Sequence, residues 1–164
     1  MMELNTKIRE EVLHSVSGLS DEQLNEQVER DKWSIMQVLD HLYLMEKSIT
    51  HTISNQLANG EHKTVKEKPI QLTTNRSTKV EAPSFVIPST DFITLKDMTE
   101  KLSKSRNTLI DVIDSADKTL LEQRAYPHPG FGEMNLKQWI PFIGLHEKRH
   151  LAQIEELKAK LTYL

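Results

Sequence analysis

The sequence predicts an all-α protein, a four-helix bundle with one long connection between its second and third helices. Three observations support this. Several segments repeat apolar residues every three or four positions. Most of the five glycines and six prolines fall between those segments. No stretch shows the alternation of a half-buried strand. At 164 residues the chain suits a single domain, 1–164, large enough to bury a core without disulfides.

Residues 3–17 form the first predicted helix, with Leu4, Ile8, Val12 and Val16 at a spacing of four and Gly18 as its stop. Ser20-Asp21-Glu22-Gln23 has the form of a capping box and opens a short helical turn. Ser34 begins the second main helix, with Gln37 at the reciprocal capping position. Its apolar face is Ile35, Val38, Leu42, Met45, Ile49, Ile53 and Leu57, and Gly60 follows its end. Residues 58–89 hold Pro69, Pro83 and Pro88 and keep no period. A link of about thirty residues is too long for a simple turn, so it reads as a crossover that lets two successive helices run parallel, or as a segment capping a site. The third helix is expected from about Ser89 to Asp117 on Phe92, Leu95, Met98, Leu102, Leu109 and Ile113. A loop, Tyr126–Gly132, precedes the last helix, which Asn135 can cap and which continues to about Lys160. Pro141 should kink that helix or mark a broken first turn.

Composition excludes several classes. A net charge of −3 leaves no electrostatic footprint for nucleic acid, so no such partner is expected. No run approaches the roughly 18 apolar residues of a membrane span, and Met1–Asn5 does not open a signal peptide. Cysteine is absent, which rules out a disulfide, a thiolate ligand or a thiol nucleophile of the chain's own; a cytoplasmic location is expected.

The informative residues are histidines. His146 and His150 stand four apart, so a helix sets both imidazoles on one face. Such a pair is weak evidence alone: seven histidines in 164 residues predict roughly 0.3 by chance. Position strengthens the case. Trp139, Ile143, His146, His150, Ile154 and Leu157 trace one buried stripe, and His41 lies among Val38, Leu42 and Met45 in the same way. Three inward imidazoles each need a polar partner. They could be satisfied separately, as core histidines, or together by one cation. Three protein ligands with an open position is how catalytic zinc-type sites are built. His51, about 80° around the helix from His41, should stay outside the site, and His14 and His62 read as surface residues.

His146-Glu147-Lys148-Arg149-His150 also matches H-E-x-x-H, the zinc metalloprotease helix. The surroundings differ. Only fourteen residues follow His150, and Gln153 and Glu156 occupy the positions where the extended form of that motif has Gly and His. Glu147 remains a candidate general base at the rim of the site, or an exposed helix glutamate.

Trp33-Ser34 followed by His41, the His128-Pro129-Phe131-Gly132 lead-in followed by Leu136, and His146-x3-His150 with Gln153-Ile154 together resemble the DinB-like superfamily. That group includes YfiT-type metal-dependent hydrolases and bacillithiol transferases. The matches bracket residues 33–154. The resemblance implies an up-down-down-up bundle, a divalent ion (nickel or zinc) on His41, His146 and His150, and frequent homodimers. It also implies two chemistries: transfer of a low-molecular-weight thiol to an electrophile, or metal-dependent hydrolysis; in the second, Glu147, offered by the H-E-x-x-H match, would be the base for a metal-activated water. A metal-binding or ligand-sensing bundle without catalysis is a third reading. In the first, a cosubstrate would bring the sulfur that this chain lacks, and Gln153 would support His150. His128 reads as a residue that shapes its loop or supports the site, not as a ligand.

Overall fold

A computed structural model of the chain describes residues 1–77 and 82–161; residues 78–81 of the long connection and the last three lie outside the described residues. The elements in order are α1 (Glu3–Val16), α2 (Asp21–Asn25), α3 (Ile35–Asn59), two 3-10 turns (Ile70–Thr74 and Ser84–Val86), α4 (Leu95–Ser115), α5 (Lys118–Gln123), β1 (Ala125–His128), β2 (Gly132–Asn135) and α6 (Leu136–Lys160). Apart from α1, the helices start where side chains supply their first amides with acceptors. Ser20 with Gln23 and Ser34 with Gln37 form complete capping boxes, and Thr94 and Asn135 cap α4 and α6.

The core fixes the direction of each long helix. At one end, Val12 and Val16 of late α1 pack with Ile35, Met36 and Val38 of early α3, Met98 and Leu102 of early α4, and Ile154 and Leu157 of late α6. At the other, Ile49 and Ile53 of late α3 meet Leu109 and Ile113 of late α4 and Leu136, Trp139 and Ile140 of early α6. The order is therefore up-down-down-up. The parallel pair α3 and α4 needs the long crossover, as expected.

Three expectations are corrected. The third long helix begins at Leu95, not Ser89, and Phe92 is exposed. The backbone amides before it are taken by other elements: Ser89 N–H donates to Asp40, Ile93 N–H to Asn25 and Leu95 N–H to Asp21. Part of the loop before α6 is a small antiparallel hairpin pairing Ala125 with Asn135 and His128 with Gly132. Its strands are four residues long and one contains Pro127, too little for a visible alternation. Pro141 does not break the first turn, because α6 runs from Leu136 as a single continuous element; so near the N-terminus it removes one hydrogen bond, and the Asn5 side chain donates to the neighbouring Ile140 carbonyl at 2.8 Å. Gly144 permits that approach, since a Cβ there would lie 2.6 Å from Asn5 Oδ1.

The four long helices also share a buried charge network. Arg9 of α1 donates to both oxygens of Glu147 of α6, at 2.8 and 3.0 Å. Arg106 of α4 donates to Glu46 of α3 at 3.0 Å and to Glu147 at 2.9 Å. Ser105 donates to the other oxygen of Glu46 at 2.7 Å. Burial alone would lower the pKa of Arg9, but Glu147 and Glu46 outweigh it and raise it.

Glu46→Ala is expected to leave two buried guanidiniums short of an acceptor and to destabilise the fold by about 3–5 kcal/mol. A urea titration would show this as a lower midpoint at unchanged slope; an unmoved midpoint would refute the network's structural weight.

Candidate metal centre

Three imidazoles from two antiparallel helices converge at the apolar seam between α3 and α6. Their ligand atoms lie within 4.8 Å of one another. His41 Nε2 is 3.2 Å from His146 Nε2, and His150 Nε2 is 3.2 Å from the same atom. His41 and His146 are buried and His150 half-buried. Among the described residues, no carboxylate and no fourth histidine joins the group.

The outer edges of the rings explain why the inner nitrogens are bare. His41 Nδ1–H donates to the Val86 carbonyl at 2.8 Å, and His150 Nδ1–H donates to Gln153 Oε1 at 2.8 Å. A neutral imidazole with its proton on Nδ1 has a lone pair on Nε2. Two lone pairs thus point at His146 Nε2, whose single proton could serve only one of them. Burial is the main cause that lowers the pKa of all three. It takes His150 to about 4, assisted by the charges of His41, Arg149 and Arg76 against the Gln153 hydrogen bond, and it takes His146 well below the usual histidine range. At neutral pH the three rings are uncharged, the form that binds metal.

The donor set fits a divalent ion. Two nitrogens each about 2.0–2.1 Å from one ion and 3.2 Å apart would subtend about 100°, near the tetrahedral value, for both pairs that share His146 Nε2; the spread of up to 4.8 Å in the remaining pair would have to close to within the about 4.2 Å that two such bonds span. A shared cation would satisfy the lone pairs of His41 and His150, and that of His146 once its proton sits on Nδ1. The group could therefore hold a metal ion, with His41, His146 and His150 as the candidate ligands.

The surroundings hold these rings in place. Trp33 lies 5.0 Å from the His41 ring, and Phe142 lies 6.0 Å from His146. The long connection runs along the site on both sides. Arg149 donates to the carbonyls of Thr73 and Asn75, Arg76 pairs with Glu156, and Asp40, next to His41, accepts from Ser89 N–H and from Lys101.

The structure brings together the three histidines read from the sequence, and it places Gln153 on His150. His51, His14 and His62 are exposed. Glu147 is a correction. It is neither at the rim nor exposed: it is 1% accessible, and both carboxylate oxygens are held by Arg9 and Arg106. Sequence reasoning missed Val86, because its contribution is a backbone carbonyl, which no side-chain pattern announces.

The family profile described as the DinB superfamily matches residues 5–154. The chain belongs to the DinB superfamily. A relative, the uncharacterised protein YuaE of Bacillus subtilis (strain 168), is 38% identical over 160 residues, covering 98% of each chain. Among solved structures, the four-helix bundle protein TT2238 superposes with a TM-score of 0.63 at 17% identity, over 94% of this chain and 95% of that one. That likeness shows the fold alone. No helix among the described residues of this DinB protein is long and apolar enough to cross a membrane.

Purified protein incubated with zinc or nickel is expected to hold close to one ion per chain by elemental analysis. His150→Ala should lose it, His51→Ala should keep it, and Gln153→Leu should weaken binding by about 10–100-fold. Equal metal content in the His150→Ala and His51→Ala proteins would remove the site.

Proposed function

We propose that this chain is a divalent-metal-dependent enzyme that transfers a low-molecular-weight thiol to an electrophile. The observation that carries the reading is the convergence of three neutral imidazoles with no fourth protein ligand among the described residues. A closed structural site would be expected to fill that position with a side chain. Imidazole donors suit zinc or nickel. When bound, such an ion supplies a lowered pKa to a thiol placed beside it.

The protein's own groups do the rest. His41, His146 and His150 present Nε2 inward because Val86 and Gln153 occupy the outer nitrogens of two of them. Trp33 and Phe142 wall the site with apolar surface, which limits water. The sulfur comes from outside, since the chain has no cysteine. In the transfer the thiol loses its proton to solvent, sulfur forms the new bond to carbon, and the electron pair of the bond that breaks leaves with the departing group or moves onto an adjacent acceptor atom.

One observation counts against a hydrolysis assisted by Glu147: that carboxylate, which the H-E-x-x-H match offered as base, is bound to two arginines deep in the bundle. A relationship to bacillithiol-type cosubstrates and a homodimer belong to the same proposal and rest on the family resemblance; a cytoplasmic setting belongs to it too and rests on the absence of cysteine.

Metal-loaded protein mixed with a bacterial thiol pool and monochlorobimane is expected to form the fluorescent conjugate faster than thiol alone, and the His41→Ala protein to add nothing over background. Ester turnover without any thiol, with no conjugate formed, would replace the transferase by the hydrolase.

A further inference from the structure

One histidine near the site is left over. His128 ends β1 and lies half-buried against α6, its ring 4.8 Å from Phe131, 4.8 Å from Phe142 and 5.5 Å from Trp139. Its Nδ1 accepts two backbone hydrogen bonds, from Gly130 N–H at 2.9 Å and Phe131 N–H at 3.1 Å. An acceptor at Nδ1 places the ring proton on Nε2. That N–H has no hydrogen-bond partner among the described residues, and it is not among the sealed, unsatisfied atoms of the core. It is thus a donor of fixed tautomer, open to a ligand.

Its place matters. Phe142 touches His128 edge to face and stands 6.0 Å from His146, one turn further along α6. A charge on His128 would be felt at His146. The free donor therefore stands across buried Phe142 from His146, on the side of the hairpin, with half-buried Phe131 beside it.

We infer that His128 is a substrate-binding residue of this site, and that its Nε2–H donates to an acceptor oxygen on the electrophile, a carbonyl or an epoxide oxygen. This rests on the thiol-transfer reading and narrows its substrate class. The tautomer restricts the role. A second ring proton would have to sit on Nδ1, where two amides already point, and loss of the Nε2 proton would leave an imidazolate. His128 orients and polarises the oxygen; it does not carry a proton. In the addition, sulfur forms a bond to carbon, the electron pair of the carbon–oxygen σ bond or conjugated π system shifts to oxygen, His128 Nε2–H hydrogen-bonds that oxygen, and water delivers the proton.

The test uses two unreactive probes with the same heavy-atom skeleton, acetophenone and cumene, in which a methyl group replaces the oxygen, titrated by NMR into zinc-loaded protein. The readout is the ratio of their dissociation constants. His128→Asn retains an acceptor for the Gly130 and Phe131 amides but removes Nε2–H; His128→Phe removes both. Each variant should shift the ratio against the ketone by roughly five- to tenfold, the worth of one hydrogen bond, with zinc content unchanged. An unshifted ratio in His128→Asn, or no measurable binding of either probe to the parent protein, would overturn the inference. Neither probe reacts with a thiol, so failure of thiol transfer and failure of the oxygen subsite are read separately.

Discussion

The constraint on which the rest depends is the charge network at the centre of the bundle. It takes one residue from each long helix: Arg9, Glu46, Arg106 and Glu147. Apolar side chains tolerate small slips of one helix along another, whereas paired guanidinium and carboxylate groups do not, because each donor has a direction as well as a distance. Two cations and two anions balance, and Ser105 and the carbonyls of Leu102 and Asn5 take up further valences. Such a network is weak evidence for net stability, since desolvation offsets most of the attraction. Its consequence here is register. Glu46 lies five residues after His41 on α3, and Glu147 directly follows His146 on α6. A slip of one turn that breaks the network would also carry His41 about 5.4 Å away from its partners.

A second, local constraint acts on the rings themselves. Helix register brings imidazoles near each other but leaves each free to rotate or change tautomer. The Val86 carbonyl and the Gln153 amide remove that freedom for His41 and His150. The two supports differ in origin. Gln153 is three residues from His150 on the same helix, so the sequence provides it locally. Val86 arrives from a connection 45 residues from His41, and its own side chain is fully buried. One ring is therefore set by secondary structure and the other by tertiary structure.

This division explains what was legible in the sequence. The His146–His150 pair, the two capping boxes and the long crossover are local patterns, and the structure has them all. His41 could be added because it sits on an apolar stripe. The same logic, applied to charge, would have found the network: Asn5-Arg9-Val12-Val16, Leu42-Glu46-Ile49-Ile53, Leu102-Arg106-Leu109-Ile113 and Ile143-Glu147-His150-Ile154 each place the charged residue at the second position of a 4,3,4 stripe. A charged residue inside such a stripe is read by habit as solvated, and the H-E-x-x-H match draws Glu147 to the rim of the site, whereas the structure buries it. The hairpin and the late start of α4 were not legible for other reasons. The start of α4 follows from backbone amides bonding to distant side chains such as Asn25 and Asp21, which no periodicity encodes, and the hairpin's four-residue strands are too short to alternate visibly.

The topology and the site are linked through the crossover. Parallel α3 and α4 require a connection that travels the length of the bundle, and such a segment costs loop-closure entropy. Once present, it must satisfy its own backbone groups, because buried unpaired carbonyls are expensive. In this chain those carbonyls find partners along α3 and α6: Val86 on His41, Thr73 and Asn75 on Arg149, next to His150, and Lys68 on Gln138 near the start of α6. The crossover thus settles against α3 and α6 where polar side chains are available, and those are the helix faces that carry the cluster. A segment required by the direction of the helices comes to orient the imidazoles, so the fold's least regular stretch helps define its most ordered chemistry.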